Sequence, residues 1–167
     1  SLFPLIGIAY AADWGTLRAL YMPLWRTWRE ELFADRWRHA YALEGDFTLS
    51  TGLKAFAAAR YGFQETDFLV ASSAYEAVVL GGLTLSAGRG TVSFAASNTW
   101  RTYDDLDLID TARADQKLEL ALTGEMPLTD AASLNGRISY LAYRSSFGDV
   151  ATDALAASLG LTYALTQ

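Results

Sequence analysis

The sequence contains no cysteine, which excludes disulfide bonds, zinc–thiolate sites and a cysteine nucleophile. It also contains no run of about 18 apolar residues, the length that a membrane-spanning helix requires. Basic residues are few: 13 Lys and Arg stand against 19 Asp and Glu, for a net charge of −6. Such a chain is a poor binder of nucleic acid, because phosphate backbones attract basic surfaces. The first residue is Ser, and no basic segment followed by an apolar one opens the chain, so no signal peptide is visible.

Apolar and aromatic side chains, in contrast, are abundant. Hydrophobic residues make up 51% and aromatic residues 13% of the chain, which excludes a disordered tail. A length of 167 residues suits one domain with a sizeable core. High apolar content without a long apolar run is explained if the apolar residues occupy alternate positions of β-strands.

Apolar and polar residues do alternate through most of the chain, which is the pattern of strands with two unlike faces. In residues 36–49, for example, Tyr41 and Leu43 alternate with Glu44 and Asp46. The pattern predicts nine strands of about 10–14 residues each, over residues 2–12, 16–26, 36–49, 53–63, 71–86, 91–103, 117–128, 134–144 and 154–165.

The length of these strands and of their connections favours a membrane barrel. Soluble strands average about 5–6 residues, whereas tilted strands that cross a bilayer need about 9–11. Short turns alternate with longer loops, as in outer-membrane barrels with periplasmic turns and external loops. We therefore predict an all-β, antiparallel up-and-down meander of about 8–10 strands that forms a transmembrane β-barrel or part of one. The predicted short turns are 13–15, 50–52, 87–90 and 129–133, and the predicted long loops are 27–35, 64–70, 104–116 and 145–153.

With this pattern the chain resembles the Gram-negative outer-membrane β-barrels of porin-like type. The segment from Leu155 to Leu165 resembles the C-terminal strand that the barrel-assembly machinery reads. Tyr163 and Leu165 hold its alternating positions, and Thr166 and Gln167 follow where the family usually ends on an aromatic residue. The resemblance implies a bacterial outer-membrane location, with the lipid bilayer, the assembly machinery and small solutes as partners. It leaves oligomer formation open.

Residues 1–167 are interpreted as a single β-barrel domain. Nine strands place the two chain ends on opposite sides of the membrane, whereas bacterial single-chain barrels have even strand numbers. Either one strand is miscounted, or the chain is the C-terminal part of a larger barrel with further N-terminal strands. We favour the second interpretation.

If the apolar row meets lipid, the opposite row lines the lumen. Its charged residues have both signs, and neighbours on adjacent strands can pair because they lie about 5 Å apart. We expect this row either to select which solutes pass or to fill the interior with ion pairs and hydrogen bonds. The candidates for this lining are Arg36, Arg38, Glu44, Asp46, Lys54, Arg60, Glu76, Arg101, Lys117, Glu119, Glu125 and Arg137.

Aromatic residues near the ends of the predicted strands suit the interfacial girdles of a membrane barrel. His39, the only histidine, shares a row with the neighbouring aromatics, so we expect it at the membrane interface and not as a general base. The girdle candidates are Trp14, Trp25, Trp28, Trp37, Tyr61, Trp100, Tyr103 and Tyr143.

Two predicted loops have distinctive compositions. Residues 25–37 show helical spacing at Trp25, Trp28, Leu32 and Phe33, which predicts a short helix. It lies either in a packed external loop, which we favour, or in a loop that folds into the lumen and constricts it. The loop 104–116 contains five aspartates, which we interpret as solvated and not as a calcium site, because the spacing is not that of an EF-hand. These aspartates are Asp104, Asp105, Asp107, Asp110 and Asp115.

The leading functional prediction is an outer-membrane barrel that lets small solutes pass through a polar lumen. It implies no enzymatic activity, no catalytic residue, no cofactor and no metal site. A structural outer-membrane barrel with a filled interior is the first alternative. The second is a soluble lipocalin-type barrel, in which the apolar row points inward around a ligand.

Overall fold

The computed structural model describes residues 5–26, 36–66, 72–104, 114–146 and 148–163, whose regular structure is entirely β-strand. Nine strands form one antiparallel sheet in which each strand pairs with the next one along the chain. The strands are β1 (Ile6–Ala12), β2 (Gly15–Arg26), β3 (Arg36–Ser50), β4 (Leu53–Thr66), β5 (Ser72–Ala87), β6 (Gly90–Asp104), β7 (Ala114–Pro127), β8 (Ala132–Ser145) and β9 (Val150–Tyr163).

The all-β antiparallel meander predicted from the alternation is confirmed, and each predicted strand is present. The end of β4 lies at Thr66 and not at the predicted 63. The starts of β7 and β9 were also predicted wrongly: β7 begins at Ala114 and not at 117, and β9 begins at Val150 and not at 154. The loops around them are shorter in consequence, 105–113 and 146–149 in place of 104–116 and 145–153. The residues gained by both strands include aspartates that bond to neighbouring strands, described below.

The connections at the two edges of the sheet differ in length. At one edge, here called the short-turn edge, the connections are 13–14, 51–52, 88–89 and 128–131. Gly52 and Gly88 adopt positive φ angles, +90° and +60°, in two of these turns, a conformation that glycine tolerates best. At the other, the long-loop edge, the strands are joined by 27–35, 67–71 and 105–113, which lie outside the described residues, and by 146–149.

The register of the sheet sorts the side chains onto two faces. Arg18 pairs with Glu44, and Ala19 pairs with Leu43. We call the face that carries Glu44 the polar face and the one that carries Leu43 the apolar face. The pairing is interrupted by one β-bulge or irregularity, between Thr48 and Ser50.

Successive strands are staggered in one direction. A line across the strands that starts at Gly15, the first residue of β2, ends at Ala157, in the middle of β9. Strands that tilt around a barrel axis require such a stagger. The sheet is not closed, however: among the described strands, β1 pairs only with β2 and β9 only with β8. The complete line is Gly15, Phe47, Ala55, Leu83, Phe94, Leu122, Ile138 and Ala157.

The sheet has no second layer within the described residues. No large side chain there is fully buried, and Leu155 and Leu159 on the apolar face are 75% and 78% exposed. A soluble domain normally covers the apolar side of a sheet with another layer of structure. In the described part of this chain nothing covers the apolar face.

Candidate functional site

The register brings the predicted lining residues onto the polar face. Arg36 and Arg38 hold positions of the same parity as Glu44 on β3, although their side chains lie outside the described part. The other members follow the polar face from β3 to β8, in the order Glu44, Asp46, Lys54, Arg60, Glu76, Arg101, Lys117, Glu119, Glu125 and Arg137.

Several of these residues form ion pairs with one another. Nη2 of Arg60 lies 2.7 Å from Oε1 of Glu44 on the neighbouring strand. Nζ of Lys117 lies 2.8 Å from Oε1 of Glu119, two positions along β7. Because these side chains are between 28% and 59% exposed, each pair contributes about 0–1 kcal/mol to stability. They remain accessible to solutes that reach the polar face.

A denser cluster lies on the polar face near the long-loop edge, across β5 to β8. Arg101 donates from Nε to Oε2 of Glu76 at 3.2 Å. The hydroxyl of Tyr103 donates to Oδ2 of Asp115 at 3.0 Å, and that of Ser145 donates to Oδ1 at 2.6 Å. Asp115 is 9% exposed and is the one buried charged residue in the described part of the chain. We call these five residues the Asp115 cluster.

The Asp115 cluster corrects two of the sequence predictions. Asp115 was assigned to a solvated acidic loop, but it belongs to β7 and pairs with Arg101 and Ser145 across the sheet. Tyr103 was assigned to an interfacial girdle, but it lies on the polar face, as does Tyr143 opposite Lys117. Asp115, Lys117 and Glu119 are charged residues at every second position of the sequence. This spacing is the signal that could have extended the predicted strand to include Asp115.

The polar face also has a shallow pocket at the short-turn edge. Its volume is about 480 Å³, and Asp46, Lys54, Phe56 and Thr84 are among its lining residues. The Phe56 ring lies against Gly82, where an added Cβ would come within 2.6 Å of Cε1 of the ring. The pocket therefore combines both charges with an aromatic surface.

Small side chains occupy many positions between the charged residues of the polar face. These small residues are Ala40, Ala42, Ala58, Gly82, Ala95, Ala121, Ala154 and Ala156. Phe56, Leu80 and Leu141 on the same face are larger. The small side chains leave room between the charges, whereas a filled barrel interior needs bulky side chains.

On the apolar face, rings cluster toward the long-loop edge. The centroid of Tyr21 lies 5.9 Å from that of His39 and 5.1 Å from that of Tyr41. The Tyr21 hydroxyl and Nδ1 of His39 are 2.7 Å apart and share a hydrogen bond. Tyr61, opposite Tyr41, stacks on Tyr75 at 6.1 Å. His39 thus belongs to an aromatic row, as its parity predicted.

A second aromatic group lies at the short-turn edge of the same face. Trp14 stacks on Phe47, with ring centroids 5.9 Å apart and planes inclined by 5°. Tyr10 lies against Trp14 at 6.2 Å. The apolar face thus has rings near both of its edges and aliphatic side chains between them.

The apolar face contains a few polar residues, and they bond to one another. Arg144 donates from Nη1 and Nη2 to the two carboxylate oxygens of Asp153, at 2.9 Å and 3.1 Å. Tyr140 donates to the same carboxylate at 3.1 Å. Gln116 donates from Nε2 to Oδ1 of Asn98 at 3.2 Å. The sequence alone does not predict these pairs. Arg144 and Asp153 stand at positions that belong to the apolar face, and only the register of β8 and β9 makes them neighbours.

The helix predicted over 25–37 is wrong at both of its ends. Trp25 belongs to β2 and pairs with Trp37 of β3. Residues 27–35, which include Trp28, Leu32 and Phe33, lie outside the described residues.

On β5 and β6, in the middle of the sheet, the two faces differ in exposure in the direction opposite to that of a soluble sheet. On β5 and β6 the large apolar-face side chains are exposed, whereas the polar-face side chains between them are mostly half-buried. Side chains crowd together on the inner side of a curved sheet and spread apart on its outer side, so this difference indicates curvature toward the polar face. The exposed residues are Tyr75, Val79, Leu83, Leu85, Val92, Phe94 and Trp100, and the half-buried ones are Glu76, Val78, Leu80, Thr84, Ser93, Ser97, Thr99 and Arg101.

Within the described ranges, no three histidine, aspartate or glutamate side chains converge as metal ligands would. The described residues also form no helix of the length and apolarity needed to cross a membrane. Comparisons with family models, with curated proteins and with solved structures find no match to this chain.

Proposed function

We propose that the chain forms an outer-membrane β-barrel that lets small solutes pass passively through a polar lumen. The observation that carries this proposal is the exposure of the two faces on β5 and β6. A lipocalin-type barrel turns its apolar row inward, so its apolar side chains are the more buried ones. On these two strands the apolar side chains are the more exposed, which suits contact with lipid.

The spacing of the aromatic groups supports a membrane position. Tyr41, in the row near the long-loop edge, and Phe47, at the short-turn edge, are six residues apart on β3. At about 3.3 Å per residue this is about 20 Å, similar to the apolar band of about 25 Å in outer-membrane barrels. Rings at both boundaries of an apolar band are typical of these proteins.

The proposed location and partners follow from the same barrel. In hydrocarbon each backbone polar group needs a partner, which strands satisfy when they pair on both sides. The short-turn edge is proposed to face the periplasm and the long-loop edge the outside. The proposed partners are the lipid bilayer, the passing solutes and the assembly machinery, which reads the C-terminal strand.

Closure of the barrel places a condition on strand number. Because nine strands alternate in direction, β1 and β9 run the same way. A purely antiparallel barrel therefore needs an odd number of further strands between them, which gives an even total. A second copy in the same membrane orientation contributes nine strands and leaves parallel pairs at its junctions.

Passage of solutes is favoured over a filled interior by the character of the polar face. Small residues leave room between its charges. Among the described residues, Asp46, Lys54, Glu125 and Arg137 form no ion pair. Charged side chains without an ion-pair partner along a water-filled path attract or repel passing ions.

Conductance in planar bilayers tests this function. We expect the folded protein to form channels, and Arg137→Glu to raise the preference for cations over anions. Arg89→Glu makes the same change of charge in a turn outside the sheet and should have a smaller effect. A folded, membrane-inserted protein without conductance would support the filled barrel, and a protein that stays in the soluble fraction would support the lipocalin-type alternative.

A further inference from the structure

Two glycines pair directly with each other on the apolar face, in the interior of β7 and β8. Gly124 lies opposite Gly136, and these strands pair without a shift of register. Glycine in a strand interior is destabilising and often marks a bulge, a bend or a place where a ligand approaches closely. The regular pairing of β7 with β8 excludes a bulge at this point.

The protein does not fill the space above these glycines. A Cβ added to Gly124 would meet only a backbone oxygen, that of Thr91 at 3.9 Å, within 4 Å. A Cβ at Gly136 would meet Cδ1 of Leu159 at 3.6 Å as its nearest neighbour, an ordinary contact. No contact inside the sheet therefore requires glycine at either position.

Gly45 on the same face shows the contrast. A Cβ there would come within 2.6 Å of Cζ of Phe47, so the aromatic ring already occupies that space. Covering of a strand glycine by an aromatic ring is a known way to stabilise a sheet. At the pair of Gly124 and Gly136, the corresponding space is left open.

The glycine pair lies within an elongated pocket of about 530 Å³ at the short-turn edge. Its volume is within the range of sites for small ligands. The rim includes Arg89, exposed in the turn between β5 and β6. Glu125 contributes its backbone next to Gly124, because its side chain belongs to the polar face. The apolar walls are formed by Leu85, Val92, Met126, Leu134 and Leu159.

We propose that this pocket, here called the glycine groove, binds one phospholipid. The acyl chain lies over Gly124 and Gly136, where a flat surface between larger side chains allows close van der Waals contact, the main attraction available in lipid. Arg89 binds the phosphate, which suits a guanidinium. This inference rests on the proposed function, because it requires the apolar face to meet lipid.

Native mass spectrometry of the full chain in detergent, with added phosphatidylethanolamine or phosphatidylglycerol, tests the groove. We expect the wild type to retain one phospholipid of either kind. Arg89→Gln should weaken its binding by at least about tenfold, because a hydrogen bond to a charged group is worth that much or more. Gly124→Leu should weaken the binding of both lipids, because its side chain occupies the space of the acyl chain. Ala157→Leu enlarges a side chain on the same face outside the pocket and should leave binding unchanged.

Each outcome separates the groove from the barrel, because heat-dependent mobility on a gel reports the closed barrel independently. Wild-type protein that shows the mobility shift but retains no lipid would overturn the groove alone. Equal retention by the wild type and Gly124→Leu would also overturn it. Wild-type protein that shows no shift and stays soluble would overturn both proposals.

Discussion

Replacement of Leu120 by arginine is expected to destabilise the barrel in the membrane. Leu120 lies on the apolar face in the middle of β7 (Ala114–Pro127), six residues from one end and seven from the other. At about 3.3 Å per residue, either end of the strand is about 20 Å away. A lipid-facing arginine near the midplane costs about 2–4 kcal/mol, and this distance leaves its side chain little chance to reach the interface.

Ala121→Arg is the matched control, one residue along the same strand. Ala121 lies on the polar face between Ala95 and Ser139, two small neighbours that leave room for the longer side chain. Its guanidinium remains in water, so we expect a loss of less than about 0.5 kcal/mol. The free energy of unfolding is measured by urea titration of the protein folded into lipid vesicles. Equal losses from the two variants would refute the assignment of the faces.

Three further predictions concern the polar face and its turns. Arg101→Gln should cost about 1–3 kcal/mol in urea titration, because Glu76 loses a charged donor, and a second change, Glu76→Gln, should recover part of this loss; no recovery would show that the two residues are not coupled. Asp115→Asn should cost about 1–3 kcal/mol by the same measurement, since it weakens two hydrogen bonds to a buried carboxylate, and an unchanged stability would remove Asp115 from the cluster. Gly52→Ala should cost about 1–3 kcal/mol, because the backbone has a φ of +90° and the new Cβ lies 2.8 Å from the carbonyl oxygen of Ser86. Gly88→Ala, with nothing within 4 Å of its Cβ, should cost less, and the reverse order would contradict the turn geometry.

The sequence predicts most of the strands because alternation is a local property. The predicted strand 91–103 matches β6 (Gly90–Asp104) to within one residue at each end, because Val92 and Phe94 alternate clearly with Thr91 and Ser93. The start of β9 was missed for the opposite reason. Asp153 interrupts the alternation, because it stands at a position that belongs to the apolar face. Its partner is Arg144 on the neighbouring strand, which no local pattern shows.

The candidate site could be predicted as a face but not as a set of contacts. The parity of Glu44 and Arg60 places both on one row, and this needs only the alternation. Their ion pair joins positions that are diagonal across two strands, because Glu44 lies opposite Ala58. The register that creates such pairs depends on the stagger of the whole sheet. For the same reason, the burial of Asp115 does not follow from its position in an acidic stretch of sequence.

The central claim is that the polar face meets water inside a barrel while the apolar face meets lipid. Because the chain has no cysteine, single cysteines introduced along β7 report on each face without interference. In membranes, a water-soluble thiol reagent should label cysteine at Glu119 and Ala121 and spare cysteine at Leu118, Leu120 and Leu122. Labelling in the reverse order would contradict the account and place the apolar face inside. Uniform labelling would contradict it as well, because it would show both faces of the sheet in water.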